Sequence, residues 1–343
     1  MTKAFISDSS KIINGIKYVD SNITGFSRLR KGKEFSYRDQ HKKKITDAKV
    51  IQRIKSLVIP PNWKKVWICP YANGHIQVTG LDDKGRKQYI YHEDWISMRN
   101  NDKFSLLLEF GKSLSSLRNK INKDINRENL DLQRVSALAL KIIDGTSMRP
   151  GNNAYQKQNG SYGLTTLEKK HLSLNNNLIH FKYKGKKGVA QQKVLNKKSI
   201  YYNLKLLNTI PGKSLFKYYD NKNKIHKLNS SQLNTYLQDY FNKDITCKTF
   251  RTWNACYISL EFLLKHGYVK KEKDREHLSK RLVEKVANDL GNTVSVARKN
   301  YIFPKIITEY IDGKLDNWIF NSRKHANKQR RIHKKLLKII AEA

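Results

Sequence analysis

The spacing of apolar residues changes near residue 100, and this change constrains the fold more than any other sequence feature. Before it, short β-branched or aromatic runs alternate with turns such as Asn73-Gly74 and Lys84-Gly85. These runs cover residues 66–69, 75–78 and 88–92. After it, apolar residues recur at helical spacing over most of the chain. The sequence therefore predicts an α+β protein with a small strand-rich N-terminal part and a mostly helical C-terminal part.

Two domains are predicted from the length of 343 residues and from the polar stretch at 97–102. We assign residues 1–98 to the β-rich domain and residues 102–343 to the helical domain, which ends in a basic helix at about 323–343. A β-hairpin interrupts the helical domain, because residues 178–183 alternate, 184–188 form a turn and 189 begins a return strand. Helical spacing is clearest over residues 46–57, 104–117, 130–143, 198–209, 229–241, 251–266, 276–290 and 303–311.

The charge balance indicates the kind of partner. The chain has 68 Lys and Arg against 29 Asp and Glu, which gives a formal charge of +39 at pH 7. A polyanion would relieve the resulting self-repulsion. Hydrophobic residues make up 38% of the chain, which is enough for real cores and excludes a disordered basic tail. Because the charge is spread along the chain rather than gathered on one amphipathic helix, nucleic acid is a better partner than a membrane.

Several classes of protein are excluded by motifs that the sequence lacks. Cys69, Cys247 and Cys256 form no C-x-x-C pair, which argues against a disulfide framework or a zinc ribbon. No G-x-x-x-x-G-K-[ST] loop is present, and the acidic residues form no tight cluster of the two-metal kind. The first residues show no apolar leader, and no run approaches eighteen apolar residues. We therefore expect no membrane span, no cofactor and no metal.

Metal-free cleavage of nucleic acid makes three demands on side chains. It needs a nucleophile in line with the leaving oxygen, donors around the other phosphate oxygens and an acid for the leaving alkoxide. The arginine fork binds two phosphate oxygens, a lysine of lowered pKa can be the acid, and a tyrosine among cations can be the nucleophile. Four segments supply these residue types, and they centre on Arg149, Lys186, Arg251 and the pair Asn292 and Tyr301.

Each of these residues alone has a simpler reading as a solvated charge, a hairpin tip, a helix cap or a packing aromatic. Their order and spacing, with the stretches around them, resemble the short type IB DNA topoisomerases of poxviruses and their bacterial relatives. The resemblance covers nearly the whole chain. The matching stretches are 25–38 (GFSRLRKGKEFSYR), 59–63 (IPPNW), 66–70 (VWICP), 74–77 (GHIQ), 83–92 (DKGRKQYIYH) and 159–167 (NGSYGLTTL).

This resemblance implies a role for each candidate residue. Tyr301 would attack a DNA phosphodiester, forming a 3′-phosphotyrosyl bond and freeing a 5′-hydroxyl. Arg149 and Arg251 would hold the non-bridging oxygens, and Lys186 would protonate the leaving 5′ oxygen. Asn292 stands where the poxvirus pattern has His and the bacterial branch tends to have Asn, and its amide can donate one hydrogen bond to a phosphate oxygen. The implied activity is relaxation of positive and negative supercoils by single-strand cleavage, strand rotation and religation, without ATP.

The resemblance also implies contacts with double-stranded DNA. Gln88, Tyr89 and Tyr91 match positions that touch DNA from the N-terminal domain, and Tyr155 matches one in the catalytic domain. Lys248 matches a position that supports the site from the turn of the second arginine. Tyr89 and Tyr91 alternate and so share one face of a strand, and the Gln88 amide can pair with adenine. The simpler interpretation is core packing for the two tyrosines, and an ordinary phosphate contact or an exposed strand position for Gln88.

The partner implied is duplex DNA, bound by a monomer whose two domains close around it as a clamp. No membrane and no small-molecule cofactor are expected. The location implied is intracellular and DNA-associated: a virion or viral replication site for a viral protein, the cytoplasm or nucleoid for a bacterial one.

Two other functions fit part of the sequence. A tyrosine recombinase or integrase shares the tyrosine chemistry, but recombinases usually carry His-x-x-Arg at the second arginine. This chain has Lys248-x-x-Arg251, the topoisomerase form, although its basic segment at 323–343 could serve as an exchange helix. A non-catalytic architectural DNA-binding protein fits the charge and the two-domain layout, but leaves the order of the four segments unexplained.

Overall fold

The computed structural model describes residues 12–32 and 34–342. The chain divides into two compact units, residues 1–103 and 104–343. The division falls inside the long helix α2 (Glu93–Ile125), so the polar stretch at 97–102 is helical. Within the described residues, no helix is long and apolar enough to cross a membrane. All three cysteines are buried free thiols.

The first unit is built on a five-stranded antiparallel sheet of order β4 (Glu34–Arg38), β3 (Phe26–Lys31), β5 (Lys64–Ile68), β6 (Ile76–Leu81) and β7 (Lys87–Tyr91). Its core contains Val66, Ile68 and Val78 of the sheet, which pack with Ile54 of the helix and with the partly buried Trp63. The three predicted strand runs and the predicted helix near 46–57 are confirmed. The elements are β1 (Ile12–Ile13), β2 (Ile16–Lys17), β3 (Phe26–Lys31), β4 (Glu34–Arg38), α1 (Ala48–Ser56), β5 (Lys64–Ile68), β6 (Ile76–Leu81) and β7 (Lys87–Tyr91).

The second unit is mostly helical around one large apolar cluster, as the spacing predicts. The predicted hairpin is part of a sheet of order β10 (Ala190–Asn196), β9 (Leu178–Lys184) and β8 (Leu172–Asn175). The strands are β8 (Leu172–Asn175), β9 (Leu178–Lys184), β10 (Ala190–Asn196), β11 (Lys217–Tyr219) and β12 (Ile225–Lys227). The helices after α2 are α3 (Leu132–Thr146), α4 (Asn153–Asn159), α5 (Lys198–Thr209), α6 (Ser230–Phe241), α7 (Cys247–His266), α8 (Glu272–Leu290), α9 (Val294–Asn300), α10 (Pro304–Ile311), α11 (Asp316–Arg323) and α12 (Lys328–Ala341).

The basic helix begins later than predicted. Arg323 ends α11, and the Asn327 side chain caps α12 by accepting a hydrogen bond from the Arg330 amide at 3.0 Å. The inward face of α12 is apolar and packs into the core of the unit through Ile332, Leu336, Ile339 and Ile340. The segment is therefore an integral helix of this unit rather than a solvated appendage.

Candidate active site

The C-terminal end of α3 sets the backbone of Arg149. The helix ends at Thr146, and the next residue, Ser147, takes the left-handed conformation (φ 56°) and turns the chain out of the helix. The Asn254 Nδ2 on α7 donates to the Asp144 carbonyl at 2.8 Å and to the Ser147 Oγ at 3.0 Å. This end of α3 is therefore fixed two residues before the arginine.

The stretch at 159–167, which resembles the family, forms backbone hydrogen bonds with the segment that carries Arg149. The Leu164 amide donates to the Arg149 carbonyl at 2.9 Å, and the Thr165 amide donates to the Pro150 carbonyl at 2.7 Å. A Cβ added at Gly163 would lie 2.5 Å from the Cα of Gly151. Position 163 therefore requires glycine, because the two backbones approach too closely for any side chain.

At the C-terminal end of α8, three backbone carbonyls accept no hydrogen bond within the helix and so can accept from side chains. Gly291 follows the helix at φ 61°, a left-handed conformation that favours glycine. Its amide donates to the Asn288 carbonyl at 3.1 Å, and the Asn292 amide donates to the Ala287 carbonyl at 2.9 Å. The next three carbonyls, 289 to 291, have no such partner within the helix and lie at the negative end of the helix dipole.

Three cationic side chains bind these three successive carbonyls. The pairs are Lys193 Nζ with the Asp289 carbonyl, Arg251 Nη2 with the Leu290 carbonyl at 3.0 Å, and Arg149 Nη2 with the Gly291 carbonyl at 3.1 Å. The helix end thus holds two of the predicted catalytic residues and one cation that the sequence reading missed. Carbonyl oxygens carry only partial charge, so the cationic charge of the group remains available to an anion.

Arg251 and Asn292 each carry a buried hydrogen-bond donor that has no partner among the described residues. Arg251 is 2% exposed and also donates from Nη1 to the Ser147 carbonyl, but its Nε has no hydrogen-bond partner among the described residues. Asn292 accepts from Arg149 Nη2 through Oδ1, and its buried Nδ2 likewise has no partner in the described chain. Since a buried unpaired donor is costly, the two groups indicate a site for an oxygen-rich anion.

Tyr301 lies directly against this cationic group. It follows α9 and is half-buried, and the Arg251 guanidinium carbon is 5.1 Å from the centroid of its ring. Burial raises the pKa of the Tyr301 phenol. The charge of Arg251, a side-chain hydrogen bond from Arg251, and the charges of Arg149 and Lys248 together outweigh burial, so the pKa lies below its usual range. The phenolate, which is the nucleophilic form, is therefore favoured at this position.

Lys248, Lys186 and Tyr155 are exposed. Lys248 lies in the first turn of α7 and acts on Tyr301 through its charge. Lys186 lies on the turn between β9 and β10, and its Nζ is 5.8 Å from the centroid of the Tyr155 ring. Tyr155 is 53% exposed on α4. Lys186 therefore contacts Tyr155, a residue of the predicted DNA-contacting set.

The remaining predicted DNA-contacting residues lie on β7 of the first unit. Tyr89 and Tyr91 are exposed on one face of the strand, with stacked rings 5.9 Å apart. The Gln88 Nε2 donates to the Asp82 carboxylate at 3.0 Å. A side-chain hydrogen bond from Arg86 lowers the pKa of that carboxyl to about 2. The Gln88 amide is thus held by a stable carboxylate in this structure.

The face of β10 that points at the site was missed by the sequence reading. Gln191 and Lys193 lie two residues apart on this strand, and Tyr183 pairs with Gln191 from β9. Burial raises the pKa of Tyr183 to about 12, against the opposing charges of Arg149 and Arg251. The predicted hairpin could have placed Tyr183 opposite Gln191, with Lys193 on the same strand face as Gln191, but not the contact of this face with the end of α8. Among the described residues, no cluster of three or more His, Cys, Asp or Glu could hold a metal ion.

Comparison with known proteins gives consistent matches. The family "Eukaryotic DNA topoisomerase I, catalytic core" matches residues 91–329, and "Bacterial DNA topoisomerase IB, N-terminal domain" matches residues 34–82. DNA topoisomerase 1B of Acanthamoeba polyphaga mimivirus is 32% identical over 82% of this chain and 85% of its own length. DNA topoisomerase I of Monkeypox virus is 25% identical over 67% of this chain and 70% of its own.

Among solved structures, the XerH site-specific recombinase bound to difH substrate aligns with 59% of this chain and 52% of its own. The identity is 19% and the TM-score 0.38. Similarity of this extent supports no inference about the present chain.

Proposed function

Since this chain belongs to the type IB DNA topoisomerases, we propose that Tyr301 is its nucleophile and that Arg149, Arg251 and Asn292 bind the scissile phosphate. The observation that carries this proposal is the pair of buried donors without partners, Arg251 Nε and Asn292 Nδ2. Arg251 lies against the Tyr301 ring, and Asn292 accepts a hydrogen bond from Arg149 of the same cationic group. A phosphodiester at this place would satisfy both donors and offer its phosphorus to the phenolate.

The proposed cleavage step conserves bonds and charge. Tyr301 loses its phenolic proton to solvent, a loss that the lowered pKa favours. Its oxygen then bonds to phosphorus while the bond from phosphorus to the 5′ oxygen breaks. That oxygen takes the bonding electron pair and a proton from Lys186. Religation is the reverse: the 5′-hydroxyl attacks phosphorus, Lys186 takes back the proton and Tyr301 leaves as phenolate. The phosphotyrosyl ester keeps the energy of the phosphodiester, so no ATP is required.

The proposal for Lys186 includes a movement on DNA binding. In this structure its ammonium faces Tyr155. Both side chains are exposed on short segments, and a backbone phosphate between them would draw the ammonium toward the anion. Lys186 thus reaches the position of the general acid only when DNA is bound.

Contacts along the duplex are proposed for residues outside the phosphate site. Tyr89 and Tyr91 present exposed rings and hydroxyls on one strand face, and Lys248 adds a cation next to the nucleophile. We assign Gln88 a DNA contact once Asp82 releases its amide. The net charge of +39 supports binding to duplex DNA. We propose that the chain acts on it as a monomeric clamp, wherever in the cell that duplex lies.

Relaxation of supercoiled plasmid, with EDTA and without nucleotide, tests the proposal. Quenching with SDS should trap protein on the 3′ end of a nicked strand. Tyr301→Phe should abolish both relaxation and covalent capture while DNA binding stays within about twofold, because only a hydroxyl is lost. Tyr268→Phe is the matched control, since Tyr268 is 52% exposed and lies in the same unit. Relaxation by the Tyr301→Phe protein would refute the assignment of the nucleophile. Strand exchange between paired sites without relaxation would favour the recombinase reading.

A further inference from the structure

One face of β10 is fitted to the end of α8 that holds the two arginines. Side chains two residues apart on a strand share a face. Gln191 and Lys193 are such a pair, and both are less exposed than Gln192 between them. Both reach the C-terminal end of α8, Lys193 at the Asp289 carbonyl and Gln191 at Gly291. The strand that follows the Lys186 turn is therefore attached to the phosphate-binding end of the site.

Gln191 lies between two glycines that flank the proposed catalytic groups. A Cβ added at Gly291, next to Asn292, would overlap the Oε1 of Gln191. A Cβ added at Gly185, next to Lys186, would lie 2.7 Å from the Cγ of Gln191. The Gln191 side chain thus fills the space between the hairpin turn and the α8 terminus.

Lys193 binds the backbone of Asp289, whose carboxylate has a different partner. Its Nζ donates to the Asp289 carbonyl, while Lys285 takes the Asp289 carboxylate at 2.6 Å. Lys193 is therefore fixed on the backbone oxygen, not on the carboxylate. Burial lowers the pKa of Lys193, and the charges of Arg251 and Arg149 lower it further against the opposing Asp289. Lys193 is therefore close enough to the two arginines proposed to bind phosphate for their charges to act on its ammonium group.

We propose that Lys193 is a positioning residue for cleavage. With Gln191, it fixes the β9–β10 hairpin to the end of α8 and so sets the distance between Lys186 and the phosphate held by Arg149. Lys193 acts through Lys186 and does not itself touch the reacting atoms. This inference rests on the proposed role of Lys186 as general acid.

The test uses a leaving group that needs no acid. Single-turnover cleavage is measured with saturating protein on a nicked duplex, and again on the same duplex with sulfur replacing the bridging 5′ oxygen. The 5′ thiolate leaves without protonation because a thiol such as that of cysteine has a pKa of about 8.5, far below that of an alcohol. On the oxygen substrate Lys193→Met should slow cleavage about 10- to 100-fold, the effect of displacing a catalytic group by about 1 Å. On the sulfur substrate it should cleave within about threefold of the unaltered protein.

Controls separate this role from a general loss of structure. Lys182→Met removes an equivalent charge from the opposite, exposed face of the same hairpin and should cleave both substrates normally. Lys193→Arg keeps a donor for the Asp289 carbonyl and should recover most of the rate. Gln191→Ala provides a second variant should Lys193→Met fold poorly, and it should show the same rescue by sulfur.

Three outcomes would overturn the inference. A defect of Lys193→Met that persists on the sulfur substrate would place Lys193 at the phosphate or in the fold. A normal rate on oxygen would remove its role. If the variant with both Lys193→Met and Lys186→Ala were much slower than Lys186→Ala alone, the two lysines would act independently, because Lys193 would then matter without Lys186. Lys186→Ala by itself tests the proposed function: if sulfur does not rescue it, the general-acid assignment fails whatever Lys193 does.

Discussion

Replacing Asn292 tests the most exacting part of the proposed site. Asn292→Ala removes the buried Nδ2 donor and leaves Arg149 its other acceptor, the Gly291 carbonyl at 3.1 Å. The arginine therefore stays in place, and the loss is that of one preorganised donor. Such a loss costs about 10²–10³ in rate, or about 2.7–4 kcal/mol of transition-state stabilisation. We expect this decrease in the rate of covalent adduct formation, with little change in DNA affinity.

The assay is single-turnover capture of a nicked duplex, quenched with SDS across a pH series. Asn221→Ala, on an exposed turn, is the matched control. Asn292→His should restore most of the rate, because a ring N–H replaces the amide donor. It should also introduce a pH dependence at or below about 6.5, since neighbouring cations lower the pKa of an imidazole. An Asn292→Ala protein that cleaves within threefold of normal would refute the reasoning, because the orphan donor would then serve no phosphate.

Three further predictions concern the nucleophile, the backbone crossing and DNA affinity. Lys248→Met removes one charge that lowers the pKa of Tyr301, so the alkaline rise in cleavage rate should move to higher pH; an unchanged profile would contradict the electrostatic role. Gly163→Ala should destabilise the protein by about 1–3 kcal/mol and slow cleavage, because the new Cβ meets the Gly151 backbone. Thermal unfolding measures the first effect, and Gly145→Ala, whose Cβ meets only the flexible Leu195 side chain, is the control expected to unfold no earlier. Duplex affinity should fall steeply and linearly in a plot of log affinity against log salt, and a flat series would exclude the proposed phosphate contacts.

The fold class follows from local patterning. Strand runs before residue 95 and helical spacing after residue 102 reflect side-chain periods that each segment carries by itself. Helix bounds are less determined by this pattern. The polar stretch at 97–102 continues α2 because it contains neither Pro nor Gly, and α12 starts at 328 because Asn327 supplies the cap. Both details depend on single residues at segment ends, where periodicity carries little information.

The sequence by itself determined which residue types are available to the reaction and in what order. Arg149, Lys186, Arg251, Asn292 and Tyr301 are identifiable because their spacing resembles a family with a known reaction. The sequence does not determine where these residues come together in the folded chain. Arg149 and the Gly291 carbonyl are 142 positions apart, and Arg251 and the Leu290 carbonyl are 39 apart.

Only the tertiary structure decided that the C-terminal end of α8 collects three cations, and that Lys193 is one of them. Nothing in the local sequence distinguishes Lys193 from the many solvated lysines of this chain. Its role depends on a strand face meeting a helix end, and backbone carbonyls have no side-chain signature. Chemistry carried by side chains can therefore be read from the chain, while chemistry carried by backbone groups brought together from distant segments depends on the folded structure.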